Sequence, residues 1–173
     1  MKRFLIGATV LPFLAAPAFA ASALKVDTSK NCSFVIKLRP DLAPKHVAQV
    51  TKLAGAGFYN GIVFHRVIDG FMAQTGDPTG TGAGGSKEPN IGAEFTKEHF
   101  KRGTVGMARA QDPNSANSQF FVMFADGAFL DGQYTVFGEV DDAGMKCVDQ
   151  IKKGDPQSGQ VDGPDKMTKV TVQ

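Results

Sequence analysis

The chain has no tryptophan, only two cysteines and no excess of charge once its first residues are set aside. The missing tryptophan rules out an indole N–H donor in any binding site. The cysteines, Cys32 and Cys147, are far apart in sequence, and no Cys-x-x-Cys is present, which argues against a thioredoxin-like redox protein. Lys and Arg number 19 and Asp and Glu 17, but Lys2 and Arg3 belong to an N-terminal leader; without them 17 basic residues face 17 acidic ones. A neutral domain has no electrostatic footprint for nucleic acid or for an anionic membrane. No linker, internal repeat or low-complexity stretch divides the chain. Ser118 has no His and carboxylate at triad spacing, and Asp141-Asp142 has no metal-ligating neighbours.

The leader has its own pattern. Met1-Lys2-Arg3 is basic, Phe4 to Leu14 is mostly apolar, and Ala18-Phe19-Ala20 is an Ala-x-Ala ending. This is the layout of a signal peptide over residues 1–20, cleaved after Ala20 and exported to the periplasm. The alternative is an uncleaved anchor, since no charge falls between Phe4 and Leu24; Pro12, Pro17 and the small residues before Ala21 favour cleavage. About 150 residues then remain, enough for one domain with a sizeable core over 21–173. Both cysteines survive into a compartment that permits disulfides. Cys32 is in phase with Phe34, Ile36 and Leu38, and Cys147 shares a helical stripe with Val148 and Ile151. Two separate buried thiols are expected on that phasing, with a disulfide as the alternative.

Strands are expected at Leu24–Thr28 and Ser33–Leu38, joined by a hairpin. A helix is expected over Asp41–Gly57, with Pro44 in its first turn and an apolar stripe of Val47, Val50, Leu53 and Ala54. His46 lies off that stripe and reads as solvated. Further strands are expected at Gly103–Ala108, Phe120–Phe124, Thr135–Val140 and Lys169–Val172. Asp141–Gly144 reads as a turn before a helix over Met145–Lys152. Many short strands with two helices fit a β-barrel better than alternating βα units. Thr79–Gly85 contains a formal Gly-x-Gly-x-x-Gly, but loop-like residues flank it on both sides. It therefore reads as a tight surface loop that approaches a ligand, not as a phosphate cradle.

The densest chemistry is in Phe64-His65-Arg66-Val67-Ile68-Asp69-Gly70-Phe71-Met72-Ala73-Gln74-Thr75-Gly76-Asp77. A cation beside Phe71 and Met72 points to an apolar pocket with one strong donor. Two further blocks follow. One runs from Gly103 to Ala110 and continues through Asn117-Ser118-Gln119-Phe120-Phe121-Val122, and the other spans Phe129 to Val140. Three ordered blocks of this kind resemble the cyclophilins, the peptidyl-prolyl cis-trans isomerases, from about Leu24 to the C-terminus; the choices at several positions resemble the bacterial secreted members.

The resemblance implies a mainly β fold, an eight-stranded antiparallel closed β-barrel capped by two α-helices, whose last strand pairs near the first. It implies rotation about Xaa-Pro bonds, with Arg66 and Gln74 catalytic. Phe71, Met72, Phe121 and Leu130 would hold the proline ring. Gln119, with Gln74, would bind the substrate carbonyl and position Arg66. Ala108 and Arg109 would meet the peptide backbone, and Phe129 and Tyr134 would complete the binding set. No metal or cofactor is called for. The expected partners are proline-containing peptides and folding envelope or secreted proteins, met by a monomer. Better-known eukaryotic members carry Trp, His and Asn where Phe129, Tyr134 and Arg109 stand, which implies weak binding of cyclosporin-type macrocycles. His65 is expected to be a structural hydrogen-bonding residue and His99 a surface residue. A proline-peptide holdase without turnover is the rival function; an intact Arg66 favours the enzyme, because pure binding needs no transition-state donor.

Overall fold

The computed structural model describes residues 21–173; the expected signal peptide lies outside the described residues. Strands β1 (Ala23–Thr28) and β2 (Ser33–Leu38) form the expected hairpin, with Val26 opposite Phe34 and Leu24 opposite Ile36. Their period-2 patterning is strict. Leu24, Val26, Phe34 and Ile36 are buried, while Val35 and Lys37 face solvent. Helix α1 (Pro44–Gly55) follows. Strands β3 (Arg66–Ile68), β4 (Met72–Thr75), β5 (Thr104–Met107), β6 (Phe120–Met123) and β7 (Val136–Glu139) come next, then helix α2 (Asp142–Val148) and strand β8 (Met167–Val172).

All eight strands share one antiparallel sheet in the order β3-β4-β6-β5-β7-β2-β1-β8. The last strand pairs with the first, as expected. The sheet curls, but it is not closed by a continuous ladder. Its edges β3 and β8 meet only through isolated contacts, such as the Val63–Lys166 bridge and the bond from the Phe64 N–H to the Asp165 carbonyl (2.8 Å). The physical reason is length. Strand β3 has three residues, and the chain before it supplies single bonds and no ladder.

Three local expectations need correction. His46 is not solvated: its ring is fully buried, and its Nδ1 lies 2.7 Å from Glu94 Oε2. The Glu94 carboxylate also accepts the backbone N–H groups of Lys45 and His46, each at 3.1 Å. It thereby satisfies N-terminal donors of α1, which has no side-chain cap of its own. A helical wheel cannot show this, because Glu94 arrives from a distant loop. Next, Asp141–Gly144 is not a turn ahead of the second helix. Asp141 is its N-cap, accepting the Gly144 N–H at 2.7 Å, and α2 ends at Val148.

The third correction concerns the cysteines, which are bonded to each other. Cys32 and Cys147 form a disulfide, with their Cα atoms 5.7 Å apart. Phasing placed both thiols inward but carried no information on whether they share a seam. In the fold α2 packs on β2, and the hairpin residue Cys32 meets the inner face of α2. The bridge joins residues 115 apart in sequence. In the chain-entropy model a loop of that size contributes up to about 4–5 kcal/mol, and about 2–4 kcal/mol is typical. The Cys32→Ser/Cys147→Ser double variant is expected to melt about 5–15 °C below wild type under oxidising conditions. Added reductant should lower wild type toward the double variant and leave the double variant unmoved. Equal melting temperatures for the two oxidised proteins would refute the bridge.

Candidate functional site

The middle strands of the sheet are buried on both faces, and alternation divides their side chains between two clusters. Val67, Ala73, Val105 and Val122 join the main barrel core. Met72, Phe121 and Met123 point the other way and pack with Phe100, Leu130 and Val136, against partly buried Phe71, Ala108 and Tyr134. This second cluster is the floor of the site. The hairpin turn at Asp69-Gly70, with Gly70 at φ +67°, sets the register that brings Arg66 opposite Gln74 and Ile68 opposite Met72. One strand further on, Gln74 pairs with Phe121. Arg66, Gln74 and Phe121 therefore lie in one row across three strands.

Arg66 is held from two sides. Its Nε donates to the Ser158 carbonyl (3.1 Å) and its Nη1 to Gln74 Oε1 (3.3 Å). Gln74 Nε2 donates to Gln119 Oε1 (2.9 Å), and Gln119 Nε2 donates to the carbonyls of Gly82 (3.0 Å) and Gly84 (2.8 Å). A line of amides thus runs from the glycine loop to the guanidinium. No carboxylate lies within 4.0 Å of Arg66 among the described residues.

Beside Arg66 is a cavity of about 420 Å³ lined by Phe71, Met72, Gln74, Ala108, Arg109, Phe121, Phe129, Leu130, Gln133 and Tyr134. The structure therefore gathers nearly the whole expected site around one depression. Phe121 stacks on Phe100 with ring centroids 5.8 Å apart and meets Tyr134 edge-on at 5.9 Å. Phe129 is 64% exposed and leans on Phe71 at 5.5 Å, forming a rim and not a floor. Gln119 falls outside that lining. It borders a second cavity of about 470 Å³, formed with Gly82–Ser86, Asn90, Ala110, Ser115 and Asn117; Gln74, Ala108 and Arg109 line both.

Two functional elements escaped the motif reading. Asn117 fixes the far wall, with its Oδ1 accepting the Ser86 N–H (2.8 Å) and its Nδ2 donating to the Glu88 carbonyl (2.8 Å). Asp77 organises the glycine loop. Its carboxylate is 1% exposed and accepts the N–H groups of Thr79 (2.8 Å), Thr81 (3.1 Å), Gly82 (2.7 Å) and Gly84 (3.1 Å). The signal was available: an Asp ahead of Pro-Thr-Gly-Thr-Gly is Asx-turn chemistry. Gly76 precedes it at φ +89°, where a Cβ would come within 2.3 Å of the Ser118 carbonyl oxygen, so no other residue fits.

Of the histidines, His99 is at the surface, as expected. It bridges Asp131 (2.8 Å) and Asp126 (2.6 Å), at the two ends of the segment that carries Phe129 and Leu130. His65 departs from expectation. It is buried beneath Gly82, and neither ring nitrogen meets a hydrogen-bond partner among the described residues. Burial lowers its pKa, which makes it a neutral packing group.

Burial by itself would push the Asp77 carboxyl up, but the bonds from Thr79, Gly84 and Gly82 outweigh it and hold the pKa down at about 2. A depressed folded value stabilises the loop fully above the ordinary value of 3.8, and that contribution is lost as pH falls through about 2. Amide exchange at Gly82 and Gly84 is therefore expected to stay slow from neutral pH down to about pH 4 and to quicken below it, relative to intrinsic rates. Asp77→Asn should exchange faster at these amides at every pH and lack the acid transition. Wild-type protection that is flat to pH 2 would contradict this account.

Comparison with known proteins places the chain in a family. Residues 23–172 match the family model for cyclophilin type peptidyl-prolyl cis-trans isomerases. A probable peptidyl-prolyl cis-trans isomerase of Brucella suis is 57% identical, over 83% of this chain and 79% of its own. A peptidyl-prolyl cis-trans isomerase-like 1 protein of Aspergillus oryzae is 42% identical, over 76% of this chain and 82% of its own. Among solved structures, a cyclophilin from Hirschia baltica superposes with a TM-score of 0.76 at 27% identity, covering 88% of this chain and 74% of that one. A cyclophilin type isomerase from Cryptosporidium parvum, crystallised in the presence of the dipeptide Ala-Pro, gives 0.77 at 26% identity, covering 87% and 98%. The family model over residues 23–172, together with these relatives, identifies the chain as a member of the cyclophilin-type peptidyl-prolyl cis-trans isomerases.

Proposed function

We propose that this isomerase uses Arg66 as its transition-state donor, Gln74 as the residue that aims it, and the second cluster as the seat of the proline ring. The observation that carries this reading is the unneutralised guanidinium. Arg66 is half-buried at an apolar cavity and bonded only to neutral acceptors, so its charge is free for a ligand. A planar amide resists rotation by about 18–20 kcal/mol because resonance is lost on twisting. As the bond twists, the proline nitrogen regains its lone pair and becomes an acceptor, which it was not in the ground state. A donor aimed at that atom stabilises the transition state selectively. Phe71, Met72, Phe121 and Leu130 would grip the ring while the acyl side turns, with Phe129 and Tyr134 at the rim. Gln119 would steady Gln74; its two Nε2 hydrogens are already given to the Gly82 and Gly84 carbonyls, so the substrate carbonyl would fall to the second Nε2 hydrogen of Gln74, and the backbone of Ala108 and Arg109 would run beside the peptide. The rotation makes and breaks no covalent bond, so it calls on no nucleophile, metal or cofactor. Binding of proline-containing peptides is supported by the dipeptide used with the Cryptosporidium relative.

The leader pattern supports a periplasmic enzyme that acts on folding envelope and secreted proteins, and a disulfide is at home in such a compartment. Fractionation of cells expressing the full chain is expected to recover the protein in the periplasm with Ala21 as its first residue. Retention in the cytoplasm or an intact N-terminus on the membrane would refute this.

Arg66→Ala tests the mechanism. A charge-assisted hydrogen bond contributes roughly 1.5–3 kcal/mol, so kcat/KM should fall on the order of ten- to a hundredfold. Arg66→Lys should also lose activity, because an ammonium cannot keep both the Ser158 and Gln74 bonds and still reach the substrate. Peptide binding should fall less than turnover, since the ring pocket is intact. A variant that melts like wild type and isomerises at the wild-type rate would refute the assignment, and unchanged binding with no wild-type turnover would favour the holdase.

A further inference from the structure

Four arginines fall within the described residues, and they divide cleanly. Arg39 pairs with Asp41 and Arg102 with Asp149, both at the surface. Arg66 and Arg109 have no carboxylate within 4.0 Å among the described residues, and both line the groove. Neither cavity is lined by an Asp or a Glu. A domain that is neutral overall thus concentrates two uncompensated positive charges along one binding surface.

Arg109 stands where the two cavities meet, and it is fixed there. Nε and Nη2 donate to the Gln133 carbonyl (3.3 and 3.0 Å), and Nη1 donates to the carbonyls of Ala110 (2.9 Å) and Gln111 (3.3 Å). The guanidinium carbon lies 4.6 Å from the Tyr134 ring centroid and 6.0 Å from that of Phe95. Every one of these partners is neutral. The nearest acid in sequence, Asp112, has its carboxylate engaged by the Asn114 N–H (2.8 Å). A planar cation held in this way has lost its rotamer entropy already and offers its charge to whatever crosses the ridge.

We infer that Arg109 makes the enzyme prefer an acidic residue within the two positions before proline. The direction rests on the Arg66 reading. If the proline nitrogen faces Arg66, the preceding residues leave from that nitrogen. Gln74, bonded to Arg66, borders both cavities, as does Arg109, so the preceding chain runs over the ridge toward Gly82 and Asn117. Arg66 and Arg109 line the same cavity, and an extended residue spans about 3.3–3.6 Å, which places the preference in the first two residues before proline. A partly solvated ion pair corresponds to a gain of about two- to fivefold in kcat/KM.

The test uses the mature protein and protease-free NMR exchange measurements on two peptide series, Ala-Xaa-Pro-Phe and Xaa-Ala-Pro-Phe, with Xaa as Glu, Gln or Lys. In one series the Glu peptide should be isomerised about two- to fivefold more efficiently than Gln, with Lys below Gln, and the ratio should shrink toward one in about 0.5 M NaCl. Arg109→Gln should bring the Glu-to-Gln ratio to one, and Arg109→Lys should keep part of it. Equal wild-type rates for Glu and Gln in both series, or a ratio that survives Arg109→Gln, overturns the inference while leaving the Arg66 mechanism standing. No turnover of any peptide overturns both readings.

Discussion

The position of one guanidinium depends on a carboxylate that never touches it. Asp77 gathers four backbone N–H groups and so shapes the glycine loop. The carbonyls of Gly82 and Gly84 then fix the amide of Gln119, which fixes Gln74, which holds Arg66. Each bond taken alone is modest, about 0.5–1.5 kcal/mol net for the neutral amide pairs and about 1.5–3 kcal/mol for those made by Asp77 and Arg66. Their effect is geometric. In the proposed mechanism, a donor that acts on a fleeting lone pair has to be in place before the bond twists, because reorganising it then would raise the barrier it is meant to lower. An arginine held by a carboxylate would be equally well fixed, but its charge would already be satisfied. A line of neutral amides gives position without neutralisation.

The sheet makes room for this arrangement by having two inner lives. Period-2 alternation sends Val122 into the barrel and Phe121 and Met123 out of it, into a second apolar cluster against Phe100, Leu130 and Val136. Burial on both faces makes the middle strands rigid, which suits a site that needs fixed geometry. Gly106 is part of the same design: a Cβ there would come within 2.6 Å of the Phe121 ring and 2.7 Å of Phe100, so the stack of the two rings depends on glycine in β5. The salt bridges at the surface, such as Lys52–Glu88 and Arg102–Asp149, matter little beside this burial, since exposed pairs contribute about 0–1 kcal/mol. The disulfide stands apart from the groove and ties α2 to the first hairpin.

Much of this was legible in the chain itself. Alternation in Ser33–Leu38, the stripe and Pro44 of α1, and the Asp69-Gly70 turn each specify local structure by steric and hydrophobic rules that act over a few residues. The ordered blocks around Arg66, Gln119 and Phe129 were legible as a family resemblance, and their expected site side chains, Gln119 excepted, converge on one depression. What the chain did not show were contacts between residues distant in sequence. The burial of His46 follows from Glu94, 48 positions away; the Cys32–Cys147 bond spans 115 positions; the edges of the curled sheet meet through Val63 and Lys166. Phasing states which way a side chain points relative to its own strand or helix, and it is silent on what arrives opposite. Sequence alone therefore determined the elements, their inward faces and the residues of the groove. The tertiary structure decided which inward faces meet, which of the described arginines remain without a counter-charge, and how an aspartate in the glycine loop comes to hold Arg66 without touching it, because those are properties of distances through space that no local periodicity encodes.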